Sequence, residues 1–182
     1  MEKKEIQSIV LTALFTALII AGSYMALPIG PVPVVLATLF ILLAGMLLGP
    51  RAGASAVIVY LLLGAVGLPV FSGGKGGAAV LIGPTGGYLL GYFLSALVTG
   101  IIVQPAKSHG KVSLVKLILA TVTGTVLFFL PGVPWLKFKL AMTWGEALAA
   151  GLTPFILGAV IKGTVALILA RIFIPRYWKE QE

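Results

Sequence analysis

Lys162 is the one basic residue set well inside a long apolar run, at 153–174. A lysine at the centre of a membrane helix costs about 2.5–3.5 kcal/mol on insertion scales, so its ammonium needs a partner or a way out. One chemistry is electrostatic, in which Lys162 serves as counter-ion to the carboxylate of a small ligand held between helices. The other is structural: the stem snorkels to the interface, or the ammonium bonds to backbone carbonyls. Position alone leaves both open.

Other reactive groups are scarce. The chain has no Cys and no Asp, and Glu146 is the only acid between Glu5 and Glu180. Disulfides, thiolate chemistry, iron–sulfur clusters and zinc–cysteine sites are thereby excluded. His109, the only histidine, lies among Lys107, Ser108 and Lys111 and reads as a solvated loop residue. Neither a Ser-His-Asp triad nor a His-rich metal site can be assembled. No catalytic residue, metal ligand or cofactor is therefore expected, which argues against a membrane enzyme such as an intramembrane transferase. Glu146 falls in a segment that reads as interfacial.

Two glycine-rich stretches stand ahead of the fourth apolar span: Gly73, Gly74, Gly76 and Gly77 around Lys75, then Gly83-Pro84-Thr85-Gly86-Gly87-Tyr88. Glycine allows close backbone approach. The segment reads either as a loop presenting N–H groups and Thr85 to a ligand or as a flexible exposed connection. Lys75 is not followed by Ser or Thr and the glycine spacing is wrong for a phosphate-binding loop, so nucleotide binding by this chain is rejected. Ala13 and Ala17, continued by Ala21, place small side chains one turn apart on the first helix, a spacing that admits a second helix or ordinary internal packing. Gly87 and Gly91 repeat it and read as internal packing.

These residues require elements that lie in lipid. At 182 residues, 59% hydrophobic, 10% charged and with a mean hydropathy of +1.13, the chain has more apolar surface than one soluble core of this size can hide. The fold expected is an all-α integral membrane protein, a single domain over 1–182, with six transmembrane helices and a Gly-rich loop between the third and fourth. The spans fall at roughly 7–27, 35–49, 52–67, 87–105, 113–131 and 153–174. Gly49-Pro50-Arg51 predicts a tight turn between two short spans, and 132–150 a looped or amphipathic surface connection. An uncleaved first helix is the expectation at the start of the chain. The net charge of +8 is spread between apolar runs and does not point to nucleic acid. Lys3, Lys4, Arg51, Lys107, Lys111, Lys116, Arg171, Arg176 and Lys179 fall on one side, against Lys75, Lys137 and Lys139 on the other. That asymmetry predicts a multi-pass cell-membrane protein with both termini cytoplasmic.

Several motifs taken together resemble a known family. They are Leu27-Pro28, Pro31-Val32-Pro33, the run from Leu42 to Ala54 through Gly49-Pro50-Arg51, and Tyr60-Leu61-Leu62-Leu63-Gly64. Gly67-Leu68-Pro69-Val70-Phe71, Gly83 to Tyr88, Pro154-Phe155 and Lys162 complete the set. Over nearly its whole length the chain is similar to the BioY family, the biotin-specific S components of energy-coupling-factor transporters. The resemblance implies a six-helix subunit that captures biotin and works with a transmembrane scaffold subunit and two cytoplasmic ATPases. It implies scaffold contact at Ala13 and Ala17, a carboxylate partner in Lys162, and pocket roles for Gly73, Gly74, Thr85, Gly86 and Tyr88. Two positions depart from the family's usual pattern: Ala37 stands where a Gln is usual, and Ala159 where an acid is usual, three residues before the lysine. A pocket with one acceptor fewer should hold biotin's ureido ring less well, so another small carboxylate such as lipoate stays open as ligand, as does a ligand-free structural role.

Overall fold

The computed structural model describes residues 3–104 and 112–179, with side chains from 5 to 104 and from 112 to 175. His109, Lys107 and Lys111 lie outside the described residues, as do the side chains of Lys3, Lys4, Arg176 and Lys179. Helices dominate: α1 (Lys3–Tyr24), α2 (Ala37–Leu48), α3 (Pro50–Ala65), α4 (Ala78–Ile82), α5 (Gly86–Val103), α6 (Leu114–Lys139), α7 (Trp144–Gly151) and α8 (Ile156–Lys179). Four stretches are long and apolar enough to cross a membrane: Glu5–Tyr24, Gly86–Val103, Leu114–Lys139 and Trp144–Pro175, the last running from α7 into α8. Apolar helices α2 and α3 are shorter, at 12 and 16 residues. At 1.5 Å per residue they span about 18 and 24 Å, less than the roughly 30 Å hydrocarbon layer.

Helix α2 is the centre of the bundle. It packs against α1, α3, α5 and α8, and its buried residues include both Leu39 and Ile41 through Met46. A helix covered on every side has no reason to be amphipathic, which is why its sequence is apolar throughout except for Thr38. Gly49, at φ 86°, makes the sharp turn into α3, and Pro50 starts that helix where a missing N–H costs nothing. The antiparallel α2–α3 pair is close because Gly53 has no side chain; a Cβ there would stand 2.7 Å from the Ala44 carbonyl oxygen.

Helix α6 runs eight residues beyond the expected end of its span, through Pro131 and Pro134 to Lys139. The looped connection expected over 132–150 is thus helix in its first part, a turn at 140–143, and the short helix α7. Tertiary packing carries the helix past its prolines: Gly132 lies against the Tyr88 ring, and Gly87 against Trp135 and the Pro131 carbonyl. Gly91 makes the matching contact one turn on, where a Cβ would lie 2.9 Å from Phe128 Cα. Gly87 and Gly91 therefore serve internal packing, as their spacing suggested.

Candidate ligand-binding site

Two connections roof one end of the bundle. Between α1 and α2 the chain folds back on itself as a two-stranded ribbon, β1 (Ala26–Leu27) paired antiparallel with β2 (Val34–Val35), Ala26 opposite Val35. The Leu36 N–H donates to the carbonyls of Gly22 (3.0 Å) and Met25 (3.2 Å), fixing the ribbon on the end of α1. Between α3 and α5, residues 66–85 carry a 3-10 turn at Ser72–Gly74 and the short helix α4. This connection is anchored: Val70 and Phe71 are buried, and the Phe71 ring meets Tyr60 edge-on at 5.4 Å. Room for Phe71 comes from Gly64, whose Cβ would occupy the ring. The Gly77 N–H donates to the Gly64 carbonyl at 2.7 Å, and the Tyr24 hydroxyl donates to the Pro69 carbonyl.

Beneath the roof lie two chambers that share a wall of Pro33, Val35, Tyr92 and Phe128. The first, here the lysine chamber, is bounded by α2, α5, α6 and α8 and lined by Thr38, Ser95, Thr125, Phe155, Ala159 and Lys162. The second, the loop chamber, is lined by Ser23, Tyr60, Ser72, Lys75, Thr85 and Tyr88. Their volumes are about 20 and 90 Å³, so the lysine chamber as it stands has room for little more than one water. No acidic residue lines either chamber.

Lys162 rises from α8 beside Gly158, and its Nζ donates to the Val35 carbonyl at 2.7 Å. Of the readings open at this position, the backbone bond is thus made, and the ammonium also faces a chamber. Around it are hydroxyls of two kinds. Ser95 is spent, donating to the Gly124 carbonyl at 2.8 Å, and Thr125 donates to the Thr121 carbonyl at 2.8 Å. Thr38 Oγ1 is buried with no hydrogen-bond partner among the described residues. In the loop chamber, Ser23 and Tyr60 share a hydrogen bond of 2.9 Å. Aromatic rings line the passage between the chambers: Tyr60 to Tyr92 at 6.4 Å, Tyr92 stacked on Phe128 at 5.4 Å, and Phe128 on Tyr88 at 5.2 Å. Such a lining favours a ligand with an apolar ring or chain and few polar atoms.

Of the residues singled out from sequence, Lys162, Thr85 and Tyr88 line the cavity, though in different chambers. The Tyr88 hydroxyl is committed to the Gly151 carbonyl at 2.8 Å, so the ring faces the cavity and the polar end fastens α5 to α7. Gly73 and Gly74 are exposed on the roof at φ 72° and 71° and line neither chamber; Gly86 is buried where α5 begins, against Leu81. Ala13 and Ala17 are exposed on α1, with Ala13 ten residues, or about 15 Å, along the helix from Ser23. Ala37 is fully buried under Gly22 and lines neither chamber, whereas Ala159 does line the lysine chamber. Glu146 caps α7, accepting from the Thr143 N–H at 2.8 Å and its hydroxyl at 2.9 Å, away from the cavity. Thr38, Tyr92, Ser95 and Phe128 also line the cavity, none of them singled out by motif or position in the sequence. Their signals were present: Tyr88 and Tyr92 stand four apart on α5, and Ser95 is a hydroxyl in mid-span. Among the described residues no cluster of His, Cys, Asp or Glu could hold a metal ion.

Residues 1–179 match the model of the BioY family. A biotin transporter BioY of Thermotoga maritima is 39% identical over 164 residues, 90% of this chain and 94% of the relative. Another, from Rhizobium etli, is 38% identical over 178 residues, covering 94% and 95% of the two chains. In architecture the chain is similar to the crystal structure at 2.1 Å of the S-component for biotin from an ECF-type ABC transporter, with a TM-score of 0.87 and 31% identity over 95% of this chain and 94% of that one.

Proposed function

The chain belongs to the BioY family, and from that premise we propose that it is the biotin-binding membrane subunit of an energy-coupling-factor uptake transporter. It is a transport component and not an enzyme. The observation that carries the reading is the roofed cavity between the α1–α2 ribbon and the 66–85 connection, aromatic along its length, with Lys162 in one chamber, the exposed Lys75 at the edge of the other, and no acidic residue in its lining. A cation without a competing carboxylate suits an anionic ligand, and the stacked rings suit a fused ring and an alkyl chain. Lys162 would trade its bond to Val35 for one to the ligand. Thr85 and Tyr88 shape the loop chamber, while Gly73, Gly74 and Gly86 act through the backbone of the roof. Because the chambers are small, capture requires the roof to move.

In this reading the chain crosses the cell membrane six times, with α2 and α3 as the short pair and both termini cytoplasmic. It works with a transmembrane scaffold subunit and two cytoplasmic ATPases, and exposed Ala13 and Ala17 support scaffold contact on α1. Bulky residues at Ala13 and Ala17 should abolish co-purification with the scaffold and spare ligand binding; association that survives them refutes the interface. Ala159, facing Lys162, keeps lipoate as the second ligand to test. Calorimetric titration of the purified chain with both vitamins decides: nanomolar biotin binding is expected, and tight lipoate binding without detectable biotin binding overturns the biotin assignment.

A further inference from the structure

A groove of about 490 Å³ runs down the outside of the bundle between α6 and α8, and we propose that it seats one acyl chain of a membrane lipid. Along α6 it extends from Ile118 to Phe129 and along α8 from Ile156 to Leu167. Each is twelve residues, and the eleven rises between its ends span about 16 Å, close to the roughly 15 Å depth of one leaflet's hydrocarbon. Both walls are helices long and apolar enough to span the bilayer, so the groove opens directly onto lipid.

Three features select a hydrocarbon chain over other occupants. The groove's threonines ask for nothing: Thr121, Thr125 and Thr164 donate to the carbonyls of Leu117, Thr121 and Val160 of their own helices at 2.8, 2.8 and 2.9 Å. A polar head or peptide would lose its hydrogen bonds to water there and regain none. The rim is branched and exposed, with Val122, Val126 and Val160 standing out, whereas helix docking favours small residues that let backbones approach. Finally, Gly163 brings the helices together, since a Cβ there would lie 2.8 Å from Thr121 Cγ2. The groove therefore follows a close helix crossing. Thr125, Phe129 and Ala159 belong to both the groove and the lysine chamber. A seated chain thus backs the thin side of that chamber whatever ligand it takes.

The test uses the unmodified protein in phosphatidylcholine bilayers whose acyl chains carry a photoactivatable diazirine, with adducts mapped by mass spectrometry. Groove positions Val126 and Val160 should be labelled several-fold more than Ile101 on α5 and Ile172 on α8, which are comparably exposed. Uniform labelling over all these positions means ordinary boundary lipid and overturns the proposal. Protection of the groove in a cross-linked dimer means a second copy fills it and overturns it equally. Thr164→Phe, which fills the groove, should remove the enrichment and leave Ile101 labelling unchanged; enrichment that persists counts against the seat. Should that variant fail to fold, the labelling ratio in the unmodified protein decides.

Discussion

The lysine chamber and the loop chamber are separated by one shared wall and differ in how each is made. The lysine chamber is walled by side chains of the four helices α2, α5, α6 and α8, and its cation is held by a 2.7 Å bond to a carbonyl 127 residues away. The loop chamber is roofed by a connection pinned by the buried Phe71 ring and by a few backbone hydrogen bonds, and its cation, Lys75, is exposed. Low dielectric strengthens a charge in the first and water weakens it in the second. On the proposed function, two lysines of equal formal charge are therefore unequal in worth, with recognition energy concentrated at Lys162 and access controlled by the roof.

Breaking the lysine chamber should have the largest effect. Lys162→Ala removes a charged hydrogen-bond donor worth about 1.5–3 kcal/mol, so biotin affinity should fall roughly 10- to 150-fold by calorimetry. Lys162→Gln keeps an N–H donor on a side chain one atom shorter and loses the charge. Binding by the Gln variant as weak as by the Ala variant would show that the charge acts on ligand; near-native binding would leave Lys162 a structural residue and erase the contrast between the chambers.

The roof comes next. Gly64→Leu drives a side chain into the Phe71 ring, and overpacking of this kind costs about 1–3 kcal/mol. Since Phe71 anchors the roof, expelling it should free the roof and quicken ligand association in stopped-flow measurements while Lys162 stays in place. An unchanged association rate would mean that the roof does not gate entry. Tyr88→Phe is milder: it removes the bond to the Gly151 carbonyl, worth about 1 kcal/mol, and keeps the ring. It should lower the unfolding temperature and leave affinity nearly unchanged, and a larger loss of binding than of stability would place the hydroxyl on the ligand.

How much of this was legible in the residues depends on the range of the forces involved. Membrane placement, the Gly49-Pro50 turn and Lys162 follow from local composition and from the high cost of charge in lipid. The extension of α6 through Pro131 and Pro134 did not, because what holds it lies on α5, at Tyr88 and Gly87, more than forty residues away. The same reason hid the carbonyl partner of Lys162 and the burial of Thr38. Ala37 shows the limit of reading by position: it belongs to a motif that leads into the cavity, yet the close approach of Gly22 turns it into the helix contact and leaves Thr38 to face the chamber.

Lys75→Ala gives the smallest expected effect and the sharpest check on the contrast. An exposed lysine attracts a carboxylate through water, worth about 0.2–1 kcal/mol, so affinity should drop no more than about fivefold. The drop should shrink further as salt rises from low ionic strength toward 1 M, where the screening length falls to about 3 Å. Lys162, shielded within the bundle, should keep its contribution over the same range. Parallel salt series on the two alanine variants therefore test the comparison directly. If instead Lys75→Ala proved as costly as Lys162→Ala and equally indifferent to salt, the roof would have to close over Lys75 on binding, and the loop chamber would be the seat of the carboxylate.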